Sequence, residues 1–241
     1  MVLILCEETD AAAAWAAGRL RRRGLATDIV TGADLAVAGR LQHRVGRRGA
    51  TFALELAGGR RLCGETVKGL LNRLTFIPAA CLRRIGGPDR YYAVQEIYAL
   101  YLSWLHSLPG PLLNAPAPQG LCGNWRHPSS WIALAVAAGL PAMPYRQSSR
   151  DDPTPLWHGL AAPAPATVFV VGGRIVAHPA VPRGLDDACR KLARAAGVEL
   201  LGLDFAPGAD GHWRFTGASV MPDLMRGGEA VADALAQALR A

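Results

Sequence analysis

Strand-length apolar runs alternate with helix-length segments through the first third of the chain. Residues 2–6, VLILC, are apolar throughout and predict a buried strand. Glu7, Glu8, Thr9 and Asp10 follow, and Asp10 is placed to cap a helix over 11–23. Ala and Leu dominate that helix, with Arg21, Arg22 and Arg23 at the end where the helix dipole favours cations. Gly24 stops it and 25–30 return as a second strand, so the opening reads as a parallel β–α–β unit. Residues 40–66 alternate weakly between glycine-rich turns, the pattern of a hairpin or small meander. A strand over 67–74 comes next. Residues 91–107 repeat apolar positions at three- and four-residue spacing, which predicts the longest helix, stopped by Leu108-Pro109-Gly110-Pro111.

The second half keeps the alternation but changes its pairing. Ser129 and Ser130 open a helix over 131–138, closed by Gly139-Leu140-Pro141. Residues 142–166 are rich in Pro and polar residues and read as a linker. TVFVVGGRIVA, from Thr167, is a hairpin with a Gly-Gly turn. A helix over 185–196 carries Asp186 and Asp187 early and Lys191 and Arg194 late. Residues 198–205 then predict a strand, Asp210-Gly211 a tight turn, and 212–215 with 218–220 the return. A final Ala-rich amphipathic helix covers 229–240. Asp204 stands inside an apolar run, so its carboxylate is paired, hydrogen-bonded, metal-bound or capping a turn at a strand end.

With 241 residues and 51% hydrophobic content, the chain is long enough for one large or two small domains of α/β or α+β type. Charge adds an asymmetry. Residues 1–90 hold 15 Lys and Arg against 8 Asp and Glu, whereas 91–241 hold 11 of each. A basic N-terminal half suits an acidic peptide, a phosphate-rich ligand or nucleic acid. No aromatic residues interleave with these arginines, so the nucleic-acid signal is weak and a solvated Arg-rich surface is the plainer reading. Cys6, Cys63, Cys81, Cys122 and Cys189 are odd in number, with no C-x-x-C, which argues against a disulfide framework or zinc site and suits a reducing cytoplasm. The opening MVLILCEETD lacks the basic stretch of a secretory signal, and no apolar run reaches the ~18 residues of a membrane span. No P-loop, G-x-G-x-x-G, H-E-x-x-H or nucleophilic triad occurs, and the six histidines have no metal spacing.

One stretch carries a resemblance. Gly202-Leu203-Asp204-Phe205, a short hairpin, and Gly217-Ala218-Ser219-Val220-Met221-Pro222 resemble the C-terminal G-x-x-D-[FV] … E-x-N-x-x-P signature of ATP-grasp carboxylate–amine ligases. The branch most like it includes peptide macrocyclases and ribosomal-protein glutamate ligases. The order of Glu96 in the long helix, Pro109-Gly110-Pro111-Leu112-Leu113-Asn114, and Gly139-Leu140-Pro141 agrees with that family. The departures fall on its chemistry. Gly217 stands where the family has a magnesium-binding Glu, and Ser219 where it has Asn. The family's phosphate-contacting lysine at the start of the later helix aligns with Pro128, leaving Arg126 and His127 as the nearest basic side chains. Residues 142–166 replace a whole ATP-binding lobe and contain no lysine and no Gly-rich phosphate loop.

The resemblance implies an α/β protein, ATP-grasp-like, with an N-terminal pre-grasp domain and a reduced α+β grasp domain lacking the central ATP lobe. The expected division is 1–118, a helix-plus-linker stretch over 119–166, and 167–241. It implies a degenerate, non-catalytic binding or partner subunit in a biosynthetic pathway, with no cofactor expected. The expected partner is a ligase protein, an acidic peptide or a metabolite. Two alternatives stay open. One is an active ligase, with ATP and magnesium, in which Asp204 holds the metal and Arg126 or Arg174 the phosphates. The other is a structural homodimer formed through the 91–105 helix. Candidate substrate-binding residues are Arg73, Glu96, Asn114, Arg126 and Arg174, with Asp204 as the candidate metal ligand.

Overall fold

A computed structural model describes residues 1–47, 49–76, 82, 86–146, 166–208 and 210–240. Its contacts divide the chain into two compact units, Met1–Asn124 with Ala232–Ala241, and Trp125–Val231.

The first unit is built on a four-stranded parallel sheet. β1 (Val2–Cys6) lies between β2 (Thr27–Thr31) and β6 (Gly69–Arg73), and β7 (Leu112–Leu113) extends the β6 edge. The register runs Val2↔Thr27 and Val2↔Gly69, so Cys6, Thr31 and Arg73 end at the same level. All five residues of β1 are buried, as a strand covered on both faces must be. α1 (Ala11–Arg22) crosses over from β1 to β2 and buries Ala12, Ala13, Ala16, Ala17 and Leu20. Its cap is the expected one: Asp10 Oδ1 accepts the Ala13 N–H at 3.0 Å. A short helix absent from the sequence reading, α2 (Gly32–Ala36), follows β2. Thr31 and Asp34 hold it by a reciprocal capping box, Asp34 N–H to Thr31 Oγ1 at 3.1 Å and Thr31 N–H to Asp34 Oδ2 at 2.9 Å.

The expected meander over 40–66 is an antiparallel sheet of β3 (Arg40–Gly46), β4 (Gly49–Glu55) and β5 (Arg61–Cys63), in that order. Phe52, Leu54 and Leu62 join Leu3, Leu5, Val30, Leu70 and Trp104 in one core. α3 (Gly87–His106) supplies Tyr101, Trp104 and Leu105 to it, with the Trp104 and Phe52 rings 5.7 Å apart. α3 opens four residues before the apolar spacing begins. Its first turn contains a proline, which needs no N–H partner there, and no apolar residue to reveal it.

The second unit is an antiparallel sheet with two helices on its core. β8 (Ala166–Val171) and β9 (Arg174–Val176) form the Gly-Gly hairpin, and β10 (Leu200–Pro207) and β11 (Trp213–Ser219) form the second one. The order is β11-β10-β8-β9. α4 (Pro128–Ala138) and α5 (Asp186–Ala196) bring Trp131, Ala135, Cys189 and Leu192 against Val168, Val170, Leu201, Leu203, Phe205 and Phe215. β11 is one continuous strand rather than two pieces, because a bulge absorbs the extra residue. Asp204 pairs with Gly217 and Phe205 with Phe215, leaving Thr216 unopposed. The start of the expected linker is also pinned. Phe215 N–H donates to Pro141 O at 2.7 Å and Met143 N–H to Phe215 O at 2.8 Å, so this stretch borders β11. The rest of the linker, 147–165, and Cys81 lie outside the described residues. α6 (Gly228–Ala238) spans the boundary between the two units. Among the described residues no helix is long and apolar enough to cross a membrane.

Candidate functional site

An open parallel sheet presents ligand-binding loops at the carboxyl ends of its strands, where the strand order switches direction. In the first unit that point lies between β1 and β6, beside Cys6, Glu7 and Arg73. Arg73 is buried there and makes a two-point ion pair with Asp10, Nε to Oδ2 at 2.7 Å and Nη2 to Oδ1 at 3.1 Å. The two side chains are 4% and 8% exposed. The same Asp10 carboxylate caps α1, so one residue ties the crossover helix to the neighbouring strand.

Beneath the pair, Asn72 Nδ2 donates to Asn114 O at 3.0 Å and to Leu121 O at 2.6 Å. Its Oδ1 accepts from Leu74 N–H at 3.3 Å. The Cys122 thiol donates to Asn72 O at 2.9 Å. Asn114 is fully buried, and its side chain hydrogen-bonds Cys122. Burial pushes the Cys122 thiol up to about 12, and burial followed by the Asp10 charge pushes Cys6 up to about 11. Both stay protonated at neutral pH and are poor nucleophiles. Burial, then Asp10 and Glu8, also raises the Glu7 carboxyl. The sequence reading named Arg73 and Asn114 as substrate-binding candidates and did not name Asn72 or the pairing of Asp10 with Arg73. The visible signal was Asn72-Arg73, two polar residues closing an apolar strand.

In the second unit Asp204 sits mid-sheet, paired with Thr167 on one side and Gly217 on the other. It caps no turn. Its Oδ1 accepts the Thr167 hydroxyl at 2.7 Å, and its backbone carbonyl accepts the Thr216 hydroxyl at 3.0 Å. Arg226 Nη1 lies 3.9 Å from the same Oδ1. Burial raises the Asp204 carboxyl, while the Thr167 hydrogen bond and the Arg226 charge oppose it.

Magnesium needs several hard oxygen donors in octahedral array. Here one carboxylate already accepts a hydroxyl and faces a guanidinium. The position opposite, Gly217, has open space where a Cβ would stand. Ser219 Oγ accepts the Met221 N–H at 3.0 Å. Among the described residues no group of three His, Cys, Asp or Glu could hold a metal ion. The residues around Asp204 do not fit a magnesium ion.

The remaining candidates are dispersed. Glu96 is exposed on α3. Arg126 Nη2 donates to Ala196 O at 3.3 Å, with its guanidinium 5.8 Å from the Trp131 ring centre. Arg174 is exposed at the Gly-Gly turn, paired with Val171, four residues along β8 from Thr167 and hence ~13 Å away by strand rise. The basic side chain beside Asp204 is Arg226, which the sequence reading did not select.

The sequence matches no protein-family model and no curated protein. The fold does have known counterparts. Macrocyclase MdnC from Microcystis aeruginosa MRC, bound with precursor peptide MdnA, superposes with a TM-score of 0.69 at 12% identity, over 100% of this chain and 99% of that one. The ATP-grasp ligase PsnB, complexed with a phosphomimetic variant of its minimal precursor, Mg and ADP, gives 0.67 at 15% identity over 99% and 96%. A RiPP-associated ATP-grasp ligase from Chryseobacterium gregarium, in complex with ADP and a leader and core peptide, gives 0.63 at 10% over 99% and 96%. The chain has the ATP-grasp fold in the form found in peptide macrocyclases.

Proposed function

We propose that this protein is a non-catalytic, peptide-binding member of the ATP-grasp fold, acting beside a peptide-modifying ligase in a biosynthetic pathway. One observation carries the reading: the hairpin of β10 and β11 sets Asp204 opposite Gly217, with Arg226 3.9 Å from the carboxylate. A guanidinium next to a lone carboxylate supplies part of the positive charge that a metal would otherwise bring, offsetting some of the cost of burying Asp204. Catalysis of acyl phosphate formation needs positioned cations around the transferring phosphoryl group, and this arrangement offers a single arginine. The peptide assignment draws on the fold: the similar ligases named above are complexed with precursor, leader or core peptides. The basic N-terminal half makes an acidic peptide the favoured partner.

The test is phosphate release from magnesium–ATP in the presence of acidic peptides. Release at the level of the buffer blank is expected. Release that depends on peptide and is abolished by Asp204→Asn would establish an active ligase instead.

A further inference from the structure

We propose that the outer edge of β3 accepts an extended acidic peptide as a fourth strand of the β3-β4-β5 sheet. This rests on the peptide-binding reading and gives it a location. β3 is the outermost strand, and its register with β4 runs without a bulge from Arg40↔Glu55 to Gly46↔Gly49. Among the described residues, the backbone of β3 makes no hydrogen bond beyond β4. An unpaired row of N–H and C=O groups on a regular strand is a template for another strand. The strand is also firmly held. Leu41 packs on the core, and His43 Nε2 hydrogen-bonds Ser103 Oγ of α3 at 2.9 Å.

The side chains select the charge of the incoming strand. Leu41 and His43 face the core side, so alternation puts Arg40, Gln42 and Arg44 on the solvent face. Arg40, Arg44 and Arg47 are exposed, and Arg44 and Arg47 have no partner among the described residues. Across the sheet, Arg40, Glu55 and Arg61 form one row, and Glu55 lies 3.4 Å from Arg61. Glu55, the acidic residue within these three strands, is thus already matched. A depression of about 310 Å³ beside this row is lined in part by Arg40, Ala53, Glu55, Arg61 and Cys63. A second copy of this chain is a poor occupant, because edge-to-edge pairing would bring Arg40 and Arg44 of both copies together. An acidic strand answers them. Carboxylates four residues apart on one face lie ~14 Å apart, the same spacing as Arg40 and Arg44.

The experiment is fluorescence anisotropy on the full chain at fixed ionic strength. The probe is a labelled ten-residue peptide alternating Glu and Val. Saturable binding is expected, with none for the Lys–Val counterpart. A double variant Arg40→Gln/Arg44→Gln should bind about five- to tenfold more weakly, the range for two exposed ion pairs. Arg40→Glu/Arg44→Glu should transfer the preference to the Lys–Val peptide. The same Glu–Val sequence N-methylated throughout keeps its charge but has no N–H donors, and it should not bind. Equal binding of that peptide, or of single-stranded DNA of matched charge, would show a mere polyanion surface and overturn the proposal, as would unaltered affinity in the arginine variants. Phosphate release is a separate reading: an active ligase would leave strand docking standing, and failed docking would leave the absence of hydrolysis standing.

Discussion

Two buried or half-buried carboxylates do opposite things in this molecule, and their surroundings decide which. Asp10 is almost fully enclosed, meets Arg73 at two points and caps α1. Removing one partner of such a pair leaves an unmatched buried charge, which costs about 3–5 kcal/mol. Arg73→Met should therefore lose about that much in urea unfolding, and an unaltered midpoint would remove the pair from the account. Asp204 is in the other situation. Its folded carboxyl is raised, chiefly by burial, so the folded state binds the proton more tightly than the unfolded chain does. Its contribution is neutral below the unfolded value, turns unfavourable as pH rises through the folded value, and stays so at neutrality. Asp204→Asn should accordingly raise Tm at pH 7, with the gap closing on acidification. A destabilised Asn variant at pH 7 would contradict this. The sequence showed that Asp204 needed a partner. It did not show which one, because Arg226 comes from a separate turn twenty-two positions later.

At the scale of elements, the signature hairpin is constrained at one glycine and open at another. A Cβ on Gly202 would stand 2.6 Å from Pro222 Cβ, whereas one on Gly217 meets nothing within 4 Å. Gly202→Ala should therefore cost about 1–3 kcal/mol by forcing β10 and the Pro222 turn apart. Gly217→Ala should be neutral or slightly stabilising, because alanine loses less backbone freedom in a strand. Thermal unfolding of the two variants checks the contrast, and equal losses would refute it. The strands and long helices were legible from apolar spacing and turn residues, since burial and period coincide in them. α2 was not, because its five residues span too little sequence to show a period and its capping box uses Asp34 in place of the commoner Glu or Gln. The bulge at Thr216 was also hidden. Gly217 looked like a strand break, but the chain runs through it.

The whole molecule joins an ATP-grasp fold to an Asp204 neighbourhood that, among the described residues, does not fit a magnesium ion. The sequence made the fold legible because its motifs occur in family order, and the structural similarity extends over the full chain. The site was less legible. Arg73 and Asn114 share a neighbourhood in the first unit, but Glu96, Arg126 and Arg174 are placed apart by folding. Spacing along the chain cannot carry that distinction. The central claim is that the protein binds peptide without using nucleotide. The most direct measurement is thermal unfolding with and without magnesium–ATP in large excess at constant ionic strength. The account predicts no shift in Tm. A ligand present at ~100 times its dissociation constant would add about 2.7 kcal/mol, a rise of roughly 5–10 °C for a chain of this size. A rise of that size that requires magnesium and vanishes in Asp204→Asn would contradict the account and establish a working nucleotide site.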